Sequence, residues 1–290
     1  MKTRPCRGLV LLLLLSACFQ ALADPALWRI QRDGTTVYLF GTVHVLPKDT
    51  QWHYPQLDRA LAASDVLYVE LVDDDQATMQ PLVMQYGIDL AHPLSSELDA
   101  SDEQRLQVAA QTAGIPAPAL DAMRPWMAAV TLTVAPIVKA GFDPESGADK
   151  QLRHEFASRG KPVKGLETAE QQIRYFADLS QSVQVSMLQN TLDDYARADT
   201  EIAALVKDWQ GGDVDAIAAL ENSDMREKYP VLYSTLLAER NRRWARQIAQ
   251  LLQPQPHQSI FIAVGAAHLA GPDDVQVQLQ KLGIHVERVH

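Results

Sequence analysis

Two short stretches of this sequence share one pattern. Residues 38–49 read YLFGTVHVLPKD and residues 261–271 read FIAVGAAHLAG. Each runs from apolar residues into a glycine and places a histidine three residues later, at His44 and His268. A glycine after a strand permits a sharp turn or a close backbone approach. In an open α/β sheet, ligands lie in the crevice beyond the carboxyl ends of the strands. A histidine three residues past such a glycine therefore faces that crevice, and if the two strands are parallel neighbours the imidazoles converge. Glu70, in YVEL, ends a third apolar run, and desolvating a carboxylate there without a partner is costly. Glu167, in GLET, follows a fourth. Two histidines and one or two carboxylates on strand ends suit a divalent metal ion with an open position for water. The same residues also have ordinary structural uses. A strand-end histidine can be a hydrogen-bonded structural residue, Glu70 can pair with an arginine, and Glu167 can satisfy the amides of the helix that starts beside it.

The elements that must hold these residues are legible as strands at both ends of the chain and helices between. Residues 28–31 and 36–40 flank Asp33-Gly34, a hairpin turn signal. Residues 66–71, 162–166 and 259–264 read as further strands, and 284–289 alternates as an edge strand does. Ser101 with Gln104 reads as a capping box for a helix that ends at Gly114. Pro125 starts a helix that closes at Gly141. Ser146 is placed to cap a helix that stops at Gly160, and Thr168 with Gln171 caps another. Two long helices follow, over about 180–209 and 231–252, and a last one opens after Gly271-Pro272. Trp126, Trp209 and Trp244 are expected to pack the helical part, and Asp73, Asp74 and Asp75 to form a solvated turn. The expected fold is α/β, a sheet assembled from N- and C-terminal strands with a large inserted helical region, about 95–252, covering its carboxyl edge.

The sequence of 290 residues carries a formal net charge of −10. It has no lysine- or arginine-rich run of the kind that marks a nucleic-acid partner, so none is expected. Lys2, Arg4 and Arg7, the apolar run 9–15 and Ala21-Leu22-Ala23 together read as a cleavable export signal over residues 1–23. The overlapping Leu15-Ser16-Ala17-Cys18 has the form of a lipobox, in which Cys18 would carry a lipid anchor. Either route takes residues 24–290 out of the cytoplasm, to a periplasmic or extracellular location or to a membrane surface. Cys6 and Cys18 are the two cysteines. The body therefore has no thiol for a disulfide, a zinc–thiolate site, an iron–sulfur cluster or a nucleophile.

Further landmarks stand in order along the chain. They are LWRI from Leu27, YLFGTVHVLP from Tyr38, VLYVEL from Val66, RPW from Arg124, GAD from Gly147, GKPVKGLETAEQQ from Gly160, ERNRRWA from Glu239 and VGAAHLAG from Val264. This ordered set resembles the TraB/GumN family, related to the plasmid pheromone-shutdown protein PrgY and to the animal Tiki proteins, over nearly all of residues 24–290. Tiki proteins are regarded as metalloproteases, and the wider group includes erythromycin-esterase-like and haem-binding relatives. The resemblance implies a metal-dependent hydrolase, with His44, Glu70 and His268 holding a divalent ion, Glu167 and Arg240 as catalytic residues, and Asn241 beside them. Such an ion would lower the pKa of bound water and polarise a carbonyl. Glu167 or Glu70 would serve as base and Arg240 would stabilise the oxyanion. The reading is an exported hydrolase of the peptidase type acting on a peptide or protein substrate. Two alternatives stay open. One is a non-catalytic protein that binds a peptide, haem or a metal ion through the same histidines. The other is a metal-independent, esterase-like hydrolase in which a histidine activates water and a glutamate orients it.

Overall fold

The computed structural model describes residues 24–253 and 258–290. Residues 1–23, read above as an export signal, with Cys6 and Cys18, and also His257, lie outside the described residues. Six strands form one mixed sheet. They are β1 Leu27–Arg32, β2 Thr35–Thr42, β3 Val66–Val69, β4 Val163–Gly165, β5 Ser259–Gly265 and β6 Glu287–Val289, in the spatial order β4-β3-β5-β2-β1-β6. β1 and β2 are an antiparallel hairpin turned by Asp33 (φ 49°) and Gly34 (φ 86°), the left-handed pair that a two-residue hairpin needs. β2, β5, β3 and β4 run parallel. The N-terminal β2 and the C-terminal β5 are neighbours, in register from Thr36↔Ser259 to Thr42↔Gly265. β5 is buried on both faces, which is why its sequence is a continuous apolar run and does not alternate.

β6 is shorter than the run 284–289 suggests. Gly283 takes a left-handed conformation (φ 72°) after the helix Val275–Lys281. The amide of Ile284 bonds back to Leu279 O at 3.0 Å, so Ile284 closes the helix and enters the core before pairing begins.

Each face of the sheet has its own core. Phe40, Trp52, Phe156, Trp209 and Phe261 meet on one face. Trp28, Leu39, Trp244, Ile248 and Ile262 meet on the other. Trp209 and Trp244, expected inside the helical part, thus clamp the sheet from opposite sides. A third core, around Leu106, Leu132 and Leu188, belongs to the helices Ala100–Ala113, Pro125–Lys139 and Gln181–Asp194. The inserted region therefore does two things: part of it builds this helical cluster, and part docks on the sheet. Among the described residues no helix is long and apolar enough to cross a membrane.

Several helix boundaries differ from the sequence reading for local reasons. Asp99, not Ser101, caps the helix Ala100–Ala113, accepting from the amides of Ser101 and Asp102. The stretch 180–209 is two helices, Gln181–Asp194 and Ala198–Gln210, parted by one 3-10 turn that contains no proline or glycine to announce it. The Asp73-Asp74-Asp75 turn is exposed, as expected, and two of its carboxylates also have partners. Asp74 is clasped by Arg153 at 2.6 and 2.9 Å. Asp75 caps the helix Gln76–Tyr86. The Thr168–Gln171 capping box forms as expected.

Ser146 does not cap the next helix. Ala148–Ser158 starts at Gly147, whose backbone presses on the loop after β2. Ala148 N donates to Val43 O at 3.0 Å, and a β-carbon on Gly147 would stand 2.3 Å from His44 O. Neither backbone can yield without moving the strand end. Gly147→Ala is therefore expected to destabilise the fold by about 1–3 kcal/mol, as overpacking does. A urea unfolding midpoint equal to wild type would show that the approach is not as close as described.

Candidate functional site

The four parallel strands β4, β3, β5 and β2 end side by side, and Glu167, Glu70, His268 and His44 follow them in that spatial order. The crevice rule for open sheets thus brings together the four residues singled out from the sequence. Arg240 reaches into them from the helix Glu239–Leu251. Its Nη2 donates to Glu70 Oε2 at 2.6 Å and to Glu167 Oε2 at 2.8 Å. Its Nε donates to Glu167 Oε1 at 3.1 Å, and its Nη1 to Leu236 O at 3.2 Å and His268 Nε2 at 3.1 Å. Every N–H group of the guanidinium has a partner within the fold. The oxyanion role expected of Arg240 would require it to give one of these up.

Arg240, Glu70, Glu167 and His268 are all buried. Trp244 lies beneath the guanidinium at 4.7 Å and beside the His268 ring at 4.4 Å, adding cation–π attraction where water is excluded. Tyr175 donates to Glu167 Oε1 at 2.8 Å and in turn accepts from Arg243. Among the described residues Arg242 pairs only with the exposed Glu239, at 3.8 Å.

The tautomer of His268 follows from its partners. Asn241 spends its amide N–H on Asp273 O at 2.9 Å and turns its oxygen to His268 Nδ1 at 2.6 Å. Nδ1 therefore carries the proton, and Nε2 offers a lone pair to a guanidinium that can only donate. Burial and the Arg240 charge agree with this, holding His268 down to about 3 against the pull of Glu70. At Glu70, burial opposes ionisation. Arg240 and the two histidines outweigh it, with the Gly265 N–H at 2.7 Å, and bring the carboxyl down to about 2.

His44 is different. Its side chain is 60% exposed, and Nδ1 stands 3.1 Å from Asp149 Oδ1. Burial opposes the charge, but the hydrogen bond and charge of Asp149 together with Glu70 outweigh it and push the ring up to about 9. His44 and Glu70 stand where two clefts meet. One, of about 400 Å³, continues past Met79, Val134 and Lys150; the other, of about 260 Å³, past Ile202, Leu205 and Glu221. Gly265 lines the second, beside Glu70 and His44. A β-carbon there would sit 3.2 Å from Glu70 Oε1, 3.6 Å from His44 Nε2 and 3.6 Å from His268 Cδ2, so the glycine keeps a small space open among the three side chains.

That space tests the expected ion. His268 Nε2 and Glu70 Oε1 are 3.9 Å apart, a separation that two ligands at about 2.0–2.2 Å from one ion can have. Arg240 nevertheless holds the His268 nitrogen, and Glu70 is bonded at both oxygens. Among the described residues no three His, Cys, Asp or Glu side chains are grouped to hold a metal ion. As arranged, the residues do not fit a three-ligand site.

Sequence reasoning passed over Asp149 and Glu221. Asp149 lies within the GAD landmark, in the first turn of a helix, 105 residues from His44. Only the fold shows that it orients the imidazole. Glu221 carried no local signal at all. The His44–Asp149 pair makes a prediction for the metal-free protein. In a histidine NMR titration His44 should titrate near 9, and in Asp149→Asn about one to two units lower. Because the folded pKa is raised, the stability it contributes is full below the ordinary imidazole value of 6.5 and is lost as pH rises through 9. Destabilisation by Asp149→Asn should therefore be larger just below pH 6.5 than above 9, where it fades. An unchanged His44 titration would break the pairing.

A protein of Escherichia coli K12, named "Uncharacterized protein YbaP", is 26% identical over 249 residues, 84% of this chain and 87% of that protein. "Metalloprotease TIKI1" of Danio rerio is 27% identical over 312 residues, 90% of this chain and 62% of that protein. No solved structure matches this chain. The model of the TraB/PrgY/gumN family matches residues 26–288, and the chain belongs to that family.

Proposed function

We propose that the chain is a hydrolase that splits a carbonyl-centred bond of a peptide-like substrate over Gly265. The observation that carries this is the open space at Gly265, flanked by His44 Nε2 and Glu70 Oε1 at the meeting of two clefts. His44 is the base: Asp149 fixes its Nδ1–H and leaves Nε2 to take a proton from water, and the same carboxylate stabilises the imidazolium that results. Since His44 holds a proton up to about 9, the base is formed by deprotonation and the rate rises with pH toward that value. Glu70, ionised and held by Arg240 and the Gly265 amide, orients the water. Arg240 offsets the charge of Glu70 and Glu167 and keeps both in place.

A second reading, a metal-dependent hydrolase, is favoured by the spacing of His268 Nε2 and Glu70 Oε1 and by the name of the zebrafish relative. A divalent ion on His44, Glu70 and His268 would supply the activated water, and Arg240 would have to release His268. Export through residues 1–23, with or without a lipid at Cys18, belongs to the same proposal.

The test is hydrolysis of peptide and ester panels by purified protein, with and without chelator, beside elemental analysis. Gly265→Ala should melt within a few degrees of wild type, since Gly265 has an ordinary φ of −50°. Its β-carbon fills the space, so turnover should fall by at least about tenfold, the scale on which small misplacements act. Chelator-resistant turnover selects the first reading. Chelator-sensitive turnover with bound metal selects the second. Full activity in Gly265→Ala, or no turnover of any substrate, rejects the site as a hydrolytic centre.

A further inference from the structure

The cleft of about 260 Å³ on the His268 side of the gap has apolar walls from Ile202, Leu205 and Ala267, and it contains one charged group that the catalytic reading does not use. This is Glu221. Every other charged or titratable group lining that cleft is engaged: His44 with Asp149, Glu70 with Arg240 and Gly265, Arg240 with Glu167, and His268 with Asn241. Glu221 is half-buried and, among the described residues, makes no hydrogen bond or ion pair. It is also held firmly. It sits in the π-helical segment Ala218–Ser223, a wide turn of the kind that often marks functional sites. The next residue, Asn222, donates to Ala267 O at 3.0 Å and Ala270 O at 2.8 Å, pinning the segment to the turn that carries His268.

We propose that Glu221 is the recognition residue of this cleft and binds a cationic nitrogen group, an ammonium or guanidinium, carried by the substrate on one side of the bond that is split. A carboxylate fixed in a cleft and left without a partner is poor design for stability, and burial with the nearby Glu201 charge already opposes its ionisation. A substrate cation relieves both terms, and an apolar stem lies naturally against Ile202 and Leu205. The assignment of which bond is split rests on the hydrolase reading; the binding does not.

The experiment therefore measures binding without turnover. Full-length His44→Ala protein is titrated calorimetrically with one short apolar peptide in lysine and norleucine versions, each with a free or an acetylated amino terminus. The cationic version should bind about tenfold tighter than its neutral counterpart. Adding Glu221→Gln should erase that preference while leaving the affinity for the neutral peptide, and Glu221→Asp should retain part of it. A preference that follows lysine identifies a side-chain ammonium, and one that follows the free terminus identifies an α-amino group. The proposal is overturned if Glu221→Gln keeps the preference, if cationic and neutral peptides bind alike, or if none binds. Absence of turnover in the wild type with the cationic preference intact would reject the hydrolase reading alone.

Discussion

Arg240 is the interaction on which the arrangement of the crevice depends. Two carboxylates on adjacent strand ends, Glu70 and Glu167, repel each other in a place from which water is largely excluded. One guanidinium answers both, because its planar fork offers donors in several directions at once, which an ammonium does not. Losing one member of such a buried set leaves an uncompensated charge, a change that typically destabilises by about 3–5 kcal/mol. Arg240 also comes from the inserted region, so the same contacts tie that region to the sheet. The β3–β4 ladder continues past the strand ends through Leu166 N to Val69 O at 2.8 Å and Glu167 N to Glu70 O at 3.0 Å, which presents the two carboxylates to the arginine side by side.

From that clamp follows the asymmetry of the two histidine motifs. They are alike in sequence but not in register. Thr42, not Gly41, pairs with Gly265. Gly41 is needed because a β-carbon there would come 3.0 Å from Ala266 Cα, so its role is packing between strand β2 and the turn after β5. Gly265 instead leaves space among side chains. His268 falls in a 3-10 turn, enclosed by Asn241, Trp244 and Arg240, and is locked in one neutral tautomer. His44 falls on an exposed loop with a single carboxylate behind it. One repeat became part of the frame and the other kept a usable nitrogen.

The sequence made the sheet legible because the parallel strands are buried on both faces and read as unbroken apolar runs between turns. It made the convergence of His44, Glu70, Glu167 and His268 legible because strand ends in such a sheet share one crevice. It could not reveal how these side chains partner each other. That Arg240 consumes all of its donors depends on where a distant helix docks, and Asp149 and Glu221 sit on helices whose local sequence is ordinary. Boundaries failed where two adjacent residues could each cap, as at Asp99 and Ser101, or where a helix breaks with no breaker, as between Asp194 and Ala198. The roles of Trp209 and Trp244 were misjudged because a helical tryptophan does not announce which layer it faces.

Charge explains why the crevice is both rigid and responsive. Glu70 and Glu167 are offset by Arg240, whose cation is permanent, and Arg243 lies 4.0 Å from Glu167 at the rim. Two carboxylates remain, on opposite sides of the gap at Gly265. Asp149 is balanced only when His44 is charged, and Glu221 is balanced by nothing in the described chain. The exchangeable cations of the site are therefore confined to its two flanks. At His44 the exchangeable cation can be a proton, and any metal ion there must displace it, because only the neutral imidazole ligates. In the proposed reaction, the proton that leaves before His44 acts as a base is the same one that an ion would have to expel. A proton and a metal ion would thus compete for one nitrogen, and Asp149, by favouring the charged ring, favours the proton.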